Sequence, residues 1–112
     1  MSLNHEKYQA LANLLTQLRA DVTSNLLDVR EIRQRLSLLQ EFFVQEVVPL
    51  SELDSRELSY RTEISKQLRL LEVDVMFLQG AKQLATVQGR MRAIEERLGI
   101  LMGYCGVVLG SD

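Results

Sequence analysis

The stretch LRLLEVDVMFLQ, Leu68 to Gln79, is rich in apolar residues and carries a carboxylate, Asp74, near its centre. Apolar residues spaced by three and four are typical of one face of an amphipathic helix, and here they form two rows. The first row consists of Ile64, Leu68, Leu71, Val75 and Leu78, and the second begins with Leu70, Val73 and Phe77. Two rows on one helix predict a segment at the centre of a helical bundle, contacted from two sides.

The second row continues to the end of the chain at heptad spacing, through Leu84, Val87, Met91, Ile94, Leu98, Leu101, Cys105 and Val108. An unbroken helix over residues 55–109 would be about 80 Å long, whereas the two helices before it would each be about 30 Å. Either the chain turns between Thr86 and Gly89 to make a four-helix bundle, or a second copy covers the distal half. The second alternative predicts a homodimer interface through Leu84, Met91, Leu98 and Cys105.

The first half of the chain has the same helical spacing, at Tyr8, Leu11, Leu15, Leu18 and Val22, and again at Val29, Ile32, Leu36, Leu39 and Phe43. Between the two sets lie the cap-forming residues Thr23-Ser24-Asn25 and then Asp28-x-x-Glu31, which fits a capping box. We therefore expect a turn near residue 24. The alternative is one continuous helix from His5 to Val47, because the heptad phase is kept across the gap.

The only proline, Pro49, predicts that the second helix ends at Val48, and Asp54-x-x-Glu57 is a second capping-box candidate for the next helix. These boundaries predict an all-α fold: an antiparallel helical bundle of three to four helices with a long C-terminal helix. We expect residues 1–112 to form this bundle as a single domain, because a chain of this length suits one core.

The composition of the chain bears on whether it binds nucleic acid or a membrane. The chain is 46% hydrophobic and 25% charged, with a formal net charge of -2, so no overall positive field favours nucleic acid or an anionic membrane. The longest nearly uncharged run, LGILMGYCGVVLGS, is too short for a membrane-spanning helix, so we expect no membrane span. One cysteine and no secretory signal at the printed start predict a cytoplasmic protein.

Residues for catalysis or metal binding are few. The only histidine is His5, and no Glu-x-x-His motif of the kind that binds metal in helical bundles is present. Cys105 has no other histidine that could act as its base, so we interpret it as a small core residue. The sequence therefore predicts a protein that is not an enzyme and has no catalytic, metal or cofactor site.

Asp74 shares one line along its helix with Glu63, Gln67 and Arg92, which predicts a polar seam between apolar rows. A buried carboxylate without a cation is costly, so we expect an arginine from the first or second helix beside it, Arg19 or Arg35. The alternative is that a binding partner supplies the cation.

Arginines gather at two places in the chain. Arg30, Arg33 and Arg35 in the second helix are a candidate interaction surface for a protein partner. Acidic residues lie between the arginines of both groups, which favours solvated helix faces over nucleic-acid binding. The alternative function is a regulator that binds a small ligand or nucleic acid through the later group, Arg90, Arg92 and Arg97.

The run EISKQLRLLEVDVMFLQGAKQLATVQGRMRAIEERLGILMGYC, Glu63 to Cys105, resembles the C-terminal half of the cyanobacterial heterocyst frequency control protein family, PatD. Gly80 and Gly89 stand where alanine is expected in that family. The resemblance implies a small cytoplasmic cyanobacterial regulator of cell differentiation and division that binds the tubulin-like protein FtsZ. It implies no catalytic motif, and it carries no functional residue over to this chain.

Overall fold

The computed structural model describes residues 3–110, and these form four helices and no strand. The helices are α1 (Leu3–Thr23), α2 (Val29–Phe42), α3 (Ser55–Gly80) and α4 (Leu84–Val108), and a π-helical turn (Phe43–Val47) extends α2. They pack into a bundle of 47 × 24 × 19 Å. The predicted all-α antiparallel bundle with a long C-terminal helix is thereby confirmed.

The first turn forms where the cap-forming residues predicted it. Asn25 adopts a left-handed backbone conformation with φ of 60°, which asparagine tolerates better than most residues. The Asp28 carboxylate accepts a hydrogen bond from the Glu31 backbone N–H at 2.8 Å, and the Glu31 carboxylate accepts one from the Asp28 N–H at 3.0 Å. This complete capping box separates α1 from α2, so the alternative of one continuous helix is wrong.

The second boundary combines the π turn with Pro49. The Val48 N–H donates to the Phe43 carbonyl at 2.9 Å, a bond spanning five residues, and the helical run ends at Val47, one residue before the predicted end. Asp54 then caps α3 by accepting from the Glu57 N–H at 2.7 Å. The Glu57 carboxylate accepts instead from the Asn4 side chain at 2.8 Å, so the predicted second capping box is replaced by a single cap and a contact to α1.

The third turn lies earlier than the sequence predicted. Helix α3 ends at Gly80, Ala81 and Gln83 have extended backbones, and α4 starts at Leu84, whereas the turn was expected between Thr86 and Gly89. Gly89 lies inside α4 at an exposed position, where a glycine weakens a helix without breaking it. The turn reverses the chain, so α4 packs closely against both α1 and α3.

The core is built from the predicted apolar rows. In α1 and α2 all of the expected row is buried except Val29, which is half-buried. The first row of α3 is buried throughout, and α4 contributes Ile94, Leu98, Leu101 and Cys105. The distal half of the chain is therefore covered by α1 and α3 of the same molecule.

The second apolar row of α3 behaves differently from the prediction. Leu70, Val73 and Phe77 were expected to contact a neighbouring helix, but each remains substantially exposed. Helix α4 lies over the flank of α3 that carries Asp74 and leaves these three residues only partly covered, with the Arg90 guanidinium over the Phe77 ring. The expectation that α3 is covered on two apolar sides is wrong, because α4 covers the flank between the two rows.

Two glycines should respond differently to alanine. Gly89 is exposed within α4 and a methyl group there would meet no atom within 4 Å, so Gly89→Ala should raise the free energy of unfolding by about 0.5–1 kcal/mol. Gly110 has φ of 71°, which strains any residue with a Cβ, so Gly110→Ala should not stabilise. Urea unfolding followed by circular dichroism measures both; destabilisation by Gly89→Ala would contradict the description of α4.

Candidate protein-binding surface

Asp74 lies in the interface between α3 and α4 and is 6% exposed. Arg97 of α4 donates from Nε to Asp74 Oδ2 at 2.8 Å, and its Nη2 lies 3.5 Å from Oδ1. The Arg97 Nη1 donates to the Gln67 side-chain carbonyl at 2.9 Å. One guanidinium therefore neutralises the carboxylate and joins two positions of α3 that are two turns apart.

The prediction that Arg19 or Arg35 pairs with Asp74 is wrong. Arg19 donates from Nε to the Glu95 backbone carbonyl at 3.0 Å, which ties α1 to α4. Arg35 forms an ion pair with Asp21 at 3.0 Å, which ties α2 to α1. Asp74 is instead neutralised from α4, because that helix folds back onto the flank of α3 where Asp74 lies.

The structure brings together two of the four residues of the predicted polar seam. Gln67 and Asp74 share Arg97, as described above. Glu63 lies near Lys66 of its own helix at 3.8 Å, and Arg92 is exposed without a hydrogen bond or ion pair to any residue within 3–110. The cation of the seam is therefore Arg97 rather than Arg92.

Neither of the two groups of arginines forms one surface. In α2, Arg33 lies on the flank that faces α3, Arg35 is bound to Asp21 on the flank that faces α1, and Arg30 is exposed between these flanks. In α4, Arg97 is held by Asp74, and the Arg90 guanidinium lies over the Phe77 ring at 4.5 Å from its centroid. The later group therefore has one unengaged guanidinium, that of Arg92, among the described residues.

Cys105 is completely buried, and burial raises the pKa of its thiol to about 12. Tyr8 is also in the core, where burial, followed by the Glu57 carboxylate, raises the pKa of its hydroxyl to about 12. Its hydroxyl has no hydrogen-bond partner among residues 3–110. Over the same residues no group of three metal-binding side chains occurs, and no helix is long and apolar enough to cross a membrane.

Four exposed apolar side chains gather beside the Asp74–Arg97 pair. Leu70, Val73 and Phe77 follow one line along α3, at helical steps of three and four. Since Arg97 meets Asp74 across antiparallel helices, Ile100, about one turn further along α4, comes level with Leu70 and Leu71. These four residues, between 37% and 53% exposed, are called the α3–α4 apolar face below.

The residues predicted for a homodimer interface do not share this exposure. Leu84 is 72% exposed and Met91 is half-buried, but Leu98 and Cys105 are fully buried against α1 and α3. The prediction that Leu98 and Cys105 lie at a homodimer interface is therefore wrong. Both are core residues, because α4 folds back on its own chain. The sequence could not show this, since one heptad row describes a core position and an interface position equally well.

Comparison with known proteins identifies no relative of this chain. No family model matches the chain, and neither does any curated protein or any solved structure. Function must therefore be inferred from the surfaces that the bundle presents.

The Asp74–Arg97 pair should be coupled in stability. Asp74→Ala and Arg97→Met should each lower the free energy of unfolding by about 1–3 kcal/mol, because each leaves a partly buried charge without its partner. The double variant should lose less than the sum of the two. Arg92→Met is the matched control and should change stability by less than about 0.5 kcal/mol. Urea unfolding of the wild type and these four variants measures this; strictly additive losses would show that the pair is not coupled.

Cys105 should resist thiol reagents in the folded protein. With its pKa raised to about 12, the thiol stays protonated at pH 8 and becomes a thiolate only as the pH approaches that value. Reaction with Ellman's reagent at pH 8 should be at least about a hundredfold slower than in guanidinium, where the unfolded chain has an ordinary thiol pKa. Equal rates in the two conditions would contradict the burial of Cys105.

Proposed function

We propose that this chain is a non-enzymatic regulatory protein that acts by binding another protein through the α3–α4 apolar face. The observation that carries the proposal is the exposed row Leu70, Val73 and Phe77 on a helix whose opposite row is completely buried. Single exposed apolar side chains are common, whereas a contiguous group on rigid elements is typical of a docking surface.

The surroundings of the face suit protein recognition. Arg90 lies over the Phe77 ring, so an aromatic side chain and a guanidinium, two groups enriched at binding hot spots, are adjacent. Arg97 is one quarter exposed at the edge of the face while it holds Asp74. The helices beneath are fixed by the core and by this ion pair, so little conformational entropy would be lost on binding.

The resemblance of residues 63–105 to the PatD family supplies a specific partner, the tubulin-like protein FtsZ. We propose FtsZ as the partner and the cytoplasm of a cyanobacterium as the place where the complex forms. This part of the proposal is supported by the sequence resemblance, and the apolar face supports only the more general part, binding to a protein.

Co-sedimentation with polymerised FtsZ tests both parts. Wild-type protein at micromolar concentration should enter the pellet, and Phe77→Glu should reduce the bound fraction by about tenfold or more, because a carboxylate would replace the largest apolar side chain of the face. Met76→Glu is the matched control: it is the neighbouring residue in the chain, it is 64% exposed, and its side chain lies about 100° around the helix from that of Phe77, so it should bind like wild type.

The outcomes separate the two parts. Absence of wild-type protein from the pellet would remove FtsZ as the partner. Equal losses from Phe77→Glu and Met76→Glu would remove the α3–α4 apolar face as the binding site. Light scattering on the same samples tests self-association: a wild-type dimer that Phe77→Glu converts to a monomer would assign the face to a second copy of the chain.

A further inference from the structure

A groove runs along the other flank of α3, where it faces α2 and the π turn. Three depressions of about 440, 250 and 270 Å³ follow one another along it. The first and second share Phe43 and Arg69, and the second and third share Gln40 and Glu72, so together they form one continuous channel, called the α2–α3 groove. It is open to solvent along its length.

The groove exists because α2 packs less extensively on α3 than α4 does. The floor of the groove is formed by four core residues, Leu36, Phe43, Leu68 and Val75. Its walls carry three exposed aliphatic side chains, Val44, Val48 and Met76. An apolar floor between two helices is the geometry that accepts the apolar side of a third helix.

The charged residues that line the groove are predominantly basic. Arg33, Arg61, Lys66 and Arg69 are opposed by one acid, Glu72, although the whole chain has a net charge of -2. The groove therefore carries a local excess of positive charge, although the protein as a whole is acidic.

Two of these cations are available to a ligand. Arg33 and Arg69 form no hydrogen bond or ion pair with any residue that the structure describes. Arg61 donates to the Val48 carbonyl at 2.8 Å and so helps to fix the groove wall, while Lys66 has only the 3.8 Å contact to Glu63. Unpaired guanidinium groups at the edge of an apolar channel are suited to carboxylates on a bound peptide.

We propose that the α2–α3 groove binds an acidic amphipathic helix of a partner protein. Apolar side chains of that helix would lie on Phe43, Val44 and Met76, and its carboxylates would pair with Arg33 and Arg69. On α3 the lining residues extend from Arg61 to Gln79, about 27 Å along a helix, so the groove accommodates about five turns.

The aliphatic floor and walls favour a peptide over a nucleic acid, which would bring its phosphates to the arginines but would leave Val44 and Met76 without apolar partners. The proposal does not rest on the function of the α3–α4 apolar face, because the groove lies on the side of α3 that faces α2 and its lining includes no residue of that face. Met76 belongs to the groove and Phe77 to the face, so adjacent residues report on different sites.

Fluorescence anisotropy with a defined probe tests the proposal. The probe is a fluorescein-labelled peptide of about 18 residues with leucine at helical spacing on one side and glutamate on the other. It should bind the full chain with a micromolar dissociation constant that rises with salt. Arg69→Glu and Met76→Glu should each weaken binding by about tenfold or more, since one reverses a contacting charge and the other places a charge on the apolar wall.

Matched controls isolate the groove. Arg30→Glu makes the same charge reversal on an exposed arginine of α2 outside the groove, and Leu26→Glu makes the same apolar-to-acid change at an exposed side chain outside the groove, so both should bind within about twofold of wild type. Thermal unfolding by circular dichroism confirms that each variant is folded. Two altered peptides complete the set: one with the same composition in scrambled order and one with lysine in place of glutamate, and both should bind at least about tenfold more weakly.

Three results would overturn the proposal. The first is no saturable binding of the amphipathic probe below about 1 mM, or equal binding of the scrambled peptide. The second is an equal loss of affinity from Arg30→Glu and Arg69→Glu, which would reduce the effect to overall charge. The third is displacement of the probe by a DNA duplex of about 20 base pairs that itself binds more tightly, which would assign the groove to nucleic acid.

Discussion

The ion pair between Asp74 and Arg97 fixes the way in which α4 lies on α3. A carboxylate in the interface between two packed helices is costly unless a cation meets it, and a shift of α4 by one turn would move the Arg97 guanidinium by about 5.4 Å, out of hydrogen-bond range. Two other contacts depend on the same alignment: the Tyr60 and Tyr104 rings at 5.5 Å and the Arg90 guanidinium over Phe77 at 4.5 Å. The pair thus favours this alignment over one in which α4 is shifted by a turn.

That alignment also determines which surfaces stay open. With α4 centred on the Asp74 flank, Leu70, Val73 and Phe77 stay partly exposed at its edge and, with Ile100, form the α3–α4 apolar face. On the other flank, the Asp28–Glu31 capping box and Pro49 limit the length of α2, and the π turn shapes its end. The α2–α3 groove remains between them, so both proposed binding surfaces follow from how the neighbours of α3 are placed.

Local signals in the sequence predicted much of this architecture. Helical spacing identified the buried rows of α1 and α2, the Asp28–Glu31 box located the first turn, and Pro49 located the second, because each acts through neighbouring residues. The turn at residues 81–83 was missed because it contains no proline and only one adjacent glycine, Gly80.

Without the position of that turn, the pairing of Asp74 with Arg97, 23 residues along the chain, could not be inferred. The unknown position of that turn also explains the two wrong predictions about surface exposure, one for the row that begins at Leu70 and one for the row that contains Leu98. Periodicity shows that Leu70 and Leu98 are apolar positions on a helix, but the placement of α4 decides that the first is open and the second is buried. The groove was missed for a related reason, since it depends on how loosely α2 and α3 pack.

Helix α3 is about 10 Å wide including side chains and carries the α2–α3 groove and the α3–α4 apolar face on two neighbouring sides. Its third side is occupied by the core, so ligands on the flanks could not touch its buried row but could be held at the same time, with Met76 and Phe77 as neighbours in the chain. A bundle of this size would then act as a bridge, bringing two different proteins to within the width of a single helix. Such a bridge would depend on the abundance of the small protein. When it is in large excess over its two ligands, each copy would hold one ligand alone, and the number of bridged complexes would fall.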